Sequence, residues 1–171
     1  LTPSSSAGGL SDESGKREAP LKVMASITGH SVVGASVEWR VECVHLKLKA
    51  NCGFPLLSPM FSLGDMLGLR LMFVPGASWA EREGRASRRQ QQTRRKVGGI
   101  GGPWNGAVKL KSLYPRDAVP VRFYLFVGNR RQGPCSCDFT EHAIQGCDIE
   151  CDWLEEMDRE ADCLRLHLEF V

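Results

Sequence analysis

An alternation of apolar and charged residues around Trp39 is the feature that most constrains this fold. The apolar positions are Val37, Trp39, Val41 and Cys43, and charged residues lie between them. A period of two places the two sets on opposite faces of a β-strand. A buried Trp removes roughly 150–250 Å² from water, worth about 4–6 kcal/mol at ~25 cal/mol per Å². We therefore expect Trp39 inside a core, and residues 46–50 extend the alternation a little further.

Further strands are predicted along the chain from alternation or from β-branched and aromatic residues. They are Leu21–Ile27, Leu69–Val74, Ala107–Leu113, Val119–Val127, Arg131–Phe139 and Cys163–Val171. Residues 51–68 contain two prolines, which predicts an edge segment with bends. Thr140–Gly146, with Thr140 as cap, and Asp152–Glu160 each predict a helical turn. The fold class is all-β, an antiparallel β-sandwich of about 7–8 strands with one or two short helical turns near the C-terminus.

The domain organisation follows from composition. Residues 1–20 are rich in Ser, Gly and charge, which predicts a flexible N-terminal tail. Residues 21–171 form one domain, interrupted by a long basic insertion at residues 77–106. No run of about 18 apolar residues is present, so no membrane span is expected. Seven cysteines, an odd number, indicate reduced thiols in an intracellular compartment.

Charge is segregated although the net charge is only +2. The insertion carries six cations that we take as candidate binding residues: Arg85, Arg88, Arg89, Arg94, Arg95 and Lys96. They would neutralise phosphates of RNA or anionic lipid, or carboxylates on a protein. The alternative is a solvated, disordered insertion. Trp79 and Trp104 bracket it, which indicates that its two ends dock on the domain.

Several cysteines and a histidine crowd one part of the sequence. Cys135, Cys137, His142, Cys147 and Cys151 lie between positions 135 and 151. Their number suffices for zinc, but the spacing is not the paired C-x-x-C of zinc ribbons, so we predict reduced cysteines, no metal and no cofactor. Neither a G-x-S-x-G elbow nor an H-E-x-x-H helix occurs, and no enzyme is predicted. Thiol chemistry by Cys137 or Cys147 with His142 is the alternative.

A co-linear series of motifs resembles the MATH (meprin and TRAF homology) domain. The matching residues are Trp39-Arg40-Val41, Leu57-Ser58-Pro59-Met60-Phe61, Leu69, Leu71, Phe73, Pro75-Gly76, Leu110, Phe123-Tyr124-Leu125, Phe139, Gly146 and Asp162-Cys163-Leu164-Arg165-Leu166. The resemblance covers residues 22–171 and implies an eight-stranded antiparallel sandwich that binds proteins. The peptide-binding residues of TRAF-type domains have no clear counterpart, so none is assigned.

The resulting hypothesis is a non-enzymatic protein–protein interaction module, an adaptor or accessory subunit that holds its partner at a sheet edge or through the insertion. One alternative is a peripheral subunit of an organellar, for instance photosynthetic, membrane complex. Another is an RNA or anionic-lipid binder acting through the insertion. A cytosolic location is expected by default, and a chloroplast location if a leader was removed before Leu1.

Overall fold

The computed structural model describes residues 21–24, 33–82, 103–115 and 120–171. Its strands are β1 (Leu21–Met24), β2 (Ser36–Glu42), β3 (Leu56–Leu57), β4 (Phe61–Leu63), β5 (Met66–Val74), β6 (Ala107–Ser112), β7 (Val121–Val127), β8 (Arg130–Cys137), β9 (Ile144–Asp148) and β10 (Cys163–Phe170). Three short helices are described: α1 (Val44–Ala50), α2 (Gly76–Arg82) and α3 (Trp153–Glu156).

The strands form two antiparallel sheets. Sheet A has the order β1-β2-β10-β7-β8, and sheet B has the order β3-β5-β6-β9, with β4 paired to β5. The apolar faces of both sheets are buried, and the largest fully buried side chains come from both: Phe73, Leu69, Leu71 and Leu110 from sheet B, and Phe123, Leu125, Leu164 and Phe170 from sheet A. The prediction of an all-β antiparallel sandwich is confirmed.

Trp39 lies inside this core, as the alternation predicts. It sits in β2 between Leu21 of β1 and Leu166 of β10, and its side chain is 4% exposed. Val37 and Val41, on the same face of β2, are buried as well. The period-two pattern therefore assigns the faces of β2 correctly.

The predicted continuation of the Trp39 strand through residues 46–50 is wrong, because the chain turns into α1. Cys43 has φ 52°, a left-handed conformation that ends the strand. Val44 and Leu48 are buried, and a spacing of four residues places them on one face of a helix. Leu46, which the strand reading placed on the same face as Leu48, is 67% exposed.

The helical turn predicted for Thr140–Gly146 is wrong as well. The Thr140 N–H and hydroxyl donate to the Asp138 carboxylate at 3.0 and 2.7 Å, which makes a local turn. The chain then enters β9, which pairs with β6. A strand forms there because pairing with β6 satisfies the backbone, a long-range contact that the local sequence does not contain.

The second predicted helical turn, Asp152–Glu160, is confirmed in part. Helix α3 ends at Glu156, and the Asp152 carboxylate caps it by accepting the Leu154 N–H at 3.1 Å. Strands β7 and β8 form the predicted hairpin around Gly128-Asn129.

The two ends of the predicted insertion meet on the domain. Its start is helix α2 rather than loop. The Ala77 N–H donates to the Pro103 carbonyl at 3.2 Å, and the Ser78 N–H donates to the Trp104 carbonyl at 2.9 Å. The two ends are therefore hydrogen-bonded to each other, with Trp79 buried in the core and Trp104 59% exposed. Residues 83–102 and the predicted tail at residues 1–20 lie outside the described residues.

Candidate functional site

The six cations proposed from the sequence belong to the part of the insertion that is outside the described residues. Arg85, Arg88, Arg89, Arg94, Arg95 and Lys96 all fall there. The candidate site that the described residues support is a different one, at the outer edge of sheet B.

The free edge of β9 is the first component of this site. Among the strands that the structure describes, β9 is the last of sheet B and pairs with β6 alone. The Ser112 N–H donates to the Ala143 carbonyl and the Ile149 N–H donates to the Gly106 carbonyl, both at 2.8 Å. These two bonds show which residues of β9 direct their backbone groups toward β6. In an antiparallel pair alternate residues face the partner strand. The backbone N–H and C=O groups of Ile144 and Gly146 therefore point away from β6, toward solvent.

Gly146 is held against β6 by a contact that excludes a side chain. A Cβ atom added there would lie 2.2 Å from the Val108 carbonyl oxygen and 2.5 Å from the Lys109 Cα. Gly146 lies directly opposite Lys109 in the register. Gly146 therefore places no side chain beside Lys109 on the outer face of the sheet.

The second component is a basic outer face on sheet B. Arg70 of β5 lies directly opposite Lys111 of β6, and Lys109, opposite Met72, is the next β6 residue on the same face. All three side chains are half-buried and face away from the core. Within the described residues, none of the three forms a hydrogen bond or ion pair. Like charges placed directly opposite each other destabilise a sheet, so this arrangement favours an anionic partner.

Strands β8 and β9 come from different sheets, and side chains bridge the gap between them. The Gln132 amide donates to the Asp148 carbonyl at 2.7 Å and accepts the Glu150 N–H at 3.0 Å. At the other end, the Gln145 amide accepts the Asp138 N–H at 2.8 Å and donates to the Asp138 carbonyl. Gly146 lies between the two bridges and Ile144 lies just beyond the Gln145 bridge, so neither amide bonds the outward backbone groups of these two residues.

The predicted cysteine cluster is only partly brought together. The thiols of Cys135 and Cys147 are hydrogen-bonded across the same gap. Burial raises the pKa of Cys137 to about 12 and raises the pKa values of Cys135, Cys147 and Cys151. In the described ranges, no group of three or more His, Cys, Asp or Glu side chains is arranged to hold a metal ion.

Within the described residues, His142 forms no hydrogen bond with Cys137 or Cys147. His45 is on α1, and its Nδ1 lies 2.7 Å from Asp162 Oδ1. This pair holds α1 to the turn before β10.

No protein-family model, curated protein or solved structure matches this chain. Among the described residues, none of the helices has the length and apolar character needed to cross a membrane.

Sequence reasoning missed Arg70, Lys109, Lys111 and Gly146 as site residues. A signal was present, because alternation along the predicted strand Ala107–Leu113 puts Val108 and Leu110 on one face and Lys109 and Lys111 on the other. The approach of Arg70 and Gly146 to these lysines depends on strand order and register. Neither can be read from a single alternating segment.

Proposed function

We propose that this chain is a non-enzymatic, MATH-like protein–protein interaction module that binds an extended acidic segment of a partner protein along β9. The observation that carries the proposal is the open β9 edge beside Arg70, Lys109 and Lys111, which form no hydrogen bond or ion pair with any described residue. An adaptor or accessory subunit of a larger assembly is the role this binding serves.

The partner segment adds to sheet B as a further strand. Its backbone pairs with the outward N–H and C=O groups of Ile144 and Gly146, which supplies affinity without sequence preference. Alternate side chains of the added strand then lie on the outer face of the sheet. A carboxylate opposite Gly146 is within reach of Lys109 and Lys111, so the preferred segment carries Asp or Glu at every second position.

An exposed apolar residue at this edge favours a segment that is not purely acidic. Ile144 is 41% exposed and lies on the same face as the cations. An added strand with an apolar residue beside Ile144 would bury part of this surface. Each Å² of apolar surface removed from water contributes about 25 cal/mol.

The raised pKa values of the cysteines support binding over thiol catalysis. A nucleophilic cysteine needs a lowered pKa, because the thiolate is the reactive form. Cys135, Cys137, Cys147 and Cys151 all deviate in the opposite direction. All seven cysteines are free thiols, which supports an intracellular compartment.

A peptide-binding titration tests the proposal. A fluorescent nine-residue peptide with Glu at alternate positions and Val or Thr between them is compared with a peptide in which Gln replaces Glu. Wild-type protein should prefer the Glu peptide by about tenfold at low salt, and the preference should shrink as salt screens the cations. The double variant Lys109→Gln/Lys111→Gln should lose this preference, whereas Lys47→Gln/Lys49→Gln on α1 should retain it.

A second variant isolates the backbone contribution. The Ile144 N–H points outward, so Ile144→Pro removes a donor for the partner strand while leaving the β6–β9 ladder intact. Its thermal stability should stay near that of the wild type, and peptide affinity should fall by about tenfold. Unchanged affinity in both Ile144→Pro and the double lysine variant would overturn the proposal. Binding that instead disappears only when residues 83–102 are deleted would favour the insertion as the binding element.

A further inference from the structure

The gap between β8 and β9 contains a pair of thiols between two amide bridges. Gln132 bridges at one end and Gln145 at the other, and Cys135 and Cys147 face each other between them. These contacts run antiparallel, because higher residue numbers on β8 contact lower residue numbers on β9. Cα atoms of the two strands approach within 8 Å. The two bridges therefore hold the Cys135 and Cys147 side chains opposite each other across the gap between β8 and β9.

The two thiols are not equivalent. Burial raises the pKa of both, but the hydrogen bond between them lowers the pKa of Cys135 and raises that of Cys147. The Cys135 thiolate is the easier of the two to form, and Cys135 is the attacking thiol in any exchange reaction.

We propose that Cys135 and Cys147 form a reversible disulfide with a small-molecule disulfide such as oxidised glutathione, which links the edge of sheet A to the edge of sheet B. The Cys135 thiolate attacks one glutathione sulfur, the glutathione S–S bond breaks, and one glutathione leaves as a thiolate. Cys147, after losing its proton, attacks the Cys135 sulfur of the mixed disulfide and displaces the second glutathione. Two protein thiols are oxidised, one glutathione disulfide is reduced to two thiols, and the protons pass to the glutathione thiolates.

Access and geometry select this pair. Cys135 and Cys147 are half-buried, so a small disulfide can reach them, whereas Cys137 is only 1% exposed. Cys43 and Cys52, the exposed thiols, lie at opposite ends of α1 and far from the gap in the sequence. The inference does not depend on the proposed function, because the thiol pair is present whether or not β9 binds a partner.

Mass spectrometry of the full chain tests the pairing. Reduced protein is equilibrated at pH 8 in glutathione buffers of increasing oxidation, quenched with an alkylating reagent and digested. The expected product is one internal disulfide, Cys135–Cys147, with the oxidised protein about 2 Da lighter before alkylation. In Cys147→Ser, the mixed disulfide of Cys135 with glutathione should accumulate, whereas Cys43→Ser should still form the internal disulfide.

A stability measurement on unmutated protein provides an independent readout. Linking the two strands closes a loop of about twelve residues and should raise the melting temperature by roughly 5–10 °C, reversed by dithiothreitol. The proposal is overturned if Cys137 or Cys151 replaces either partner in the main disulfide. Two further outcomes, observed with folded protein under fully oxidising conditions, would also overturn it. One is that both thiols remain reduced, and the other is that Cys135 of the wild type remains as the glutathione adduct.

Discussion

Three tryptophans of this chain allow the contribution of one buried hydrogen bond to be measured. Trp153 is fully buried, and its Nε1 donates to the Pro75 carbonyl at 3.0 Å. Its ring meets Phe73 edge to face, with centroids 5.0 Å apart. Through these contacts Trp153 joins α3 to the segment where β5 ends and α2 begins. The perturbation is Trp153→Phe, which keeps an aromatic ring and removes the donor.

The expected cost has two parts. Loss of the donor leaves the Pro75 carbonyl buried without this partner, which costs about 1–3 kcal/mol. The smaller ring leaves a void of roughly 40 Å³, worth about 1 kcal/mol at ~24 cal/mol per Å³. The free energy of unfolding should therefore fall by about 2–4 kcal/mol.

Trp79→Phe is the matched control. Trp79 is 2% exposed, but within the described residues its Nε1 has no hydrogen-bond partner. The same ring replacement there should cost only the packing part, about 1 kcal/mol or less. Trp104 is 59% exposed, so Trp104→Phe should change stability by less than about 0.5 kcal/mol.

Urea unfolding followed by circular dichroism measures all three variants. The difference between Trp153→Phe and Trp79→Phe should be at least about 1 kcal/mol, with unchanged m-values. If Trp79→Phe costs as much as Trp153→Phe, the hydrogen bond to Pro75 is not what distinguishes the two sites, and the reasoning fails.

Two further predictions concern turns and caps. Asp152→Ala should lower the free energy of unfolding in urea by about 1 kcal/mol through loss of the α3 cap. Asp152→Asn should cost less than about 0.5 kcal/mol, because it keeps the cap and loses only the exposed ion pair with Arg82. Equal costs for the two variants would contradict the assignment of Asp152 as the cap. The Thr140 N–H and hydroxyl hold the pKa of Asp138 below its ordinary value of 3.8, so their stabilising contribution is present above pH 3.8 and is lost as the pH falls below it. Thr140→Val should raise that pKa in an NMR titration of the carboxyl, and an unchanged pKa would exclude the hydroxyl as a cause.

The architecture of the sandwich was largely predictable from the sequence. Strands β2 and β10 each contain their own evidence, because apolar residues at every second position fix both the strand and its buried face. The Asp152 cap of α3 is equally local. These predictions needed no knowledge of which strand lies beside which.

The wrong predictions of a strand at residues 46–50 and of a helical turn at Thr140–Gly146 have a shared cause. In both segments the structure is decided by contact with residues distant in the sequence. Helix α1 begins where it does because the Val44 N–H donates to the Asp162 carbonyl at 3.1 Å and the His45 N–H donates to the Asp162 carboxylate at 3.2 Å. Asp162 lies 117 residues from His45. Similarly, β9 exists because β6 is available to pair with it.

The sequence alone determined that this chain builds a core from alternating strands, since side-chain direction along a strand is a local property of the backbone. It also determined that Lys109 and Lys111 of β6 face away from the core. Only the tertiary structure decided that Arg70 lies opposite Lys111, that Gly146 leaves their side of the β9 edge open, and that Cys135 meets Cys147. Those juxtapositions depend on strand order and register, which are set by the packing of the whole sandwich and by no single segment of it.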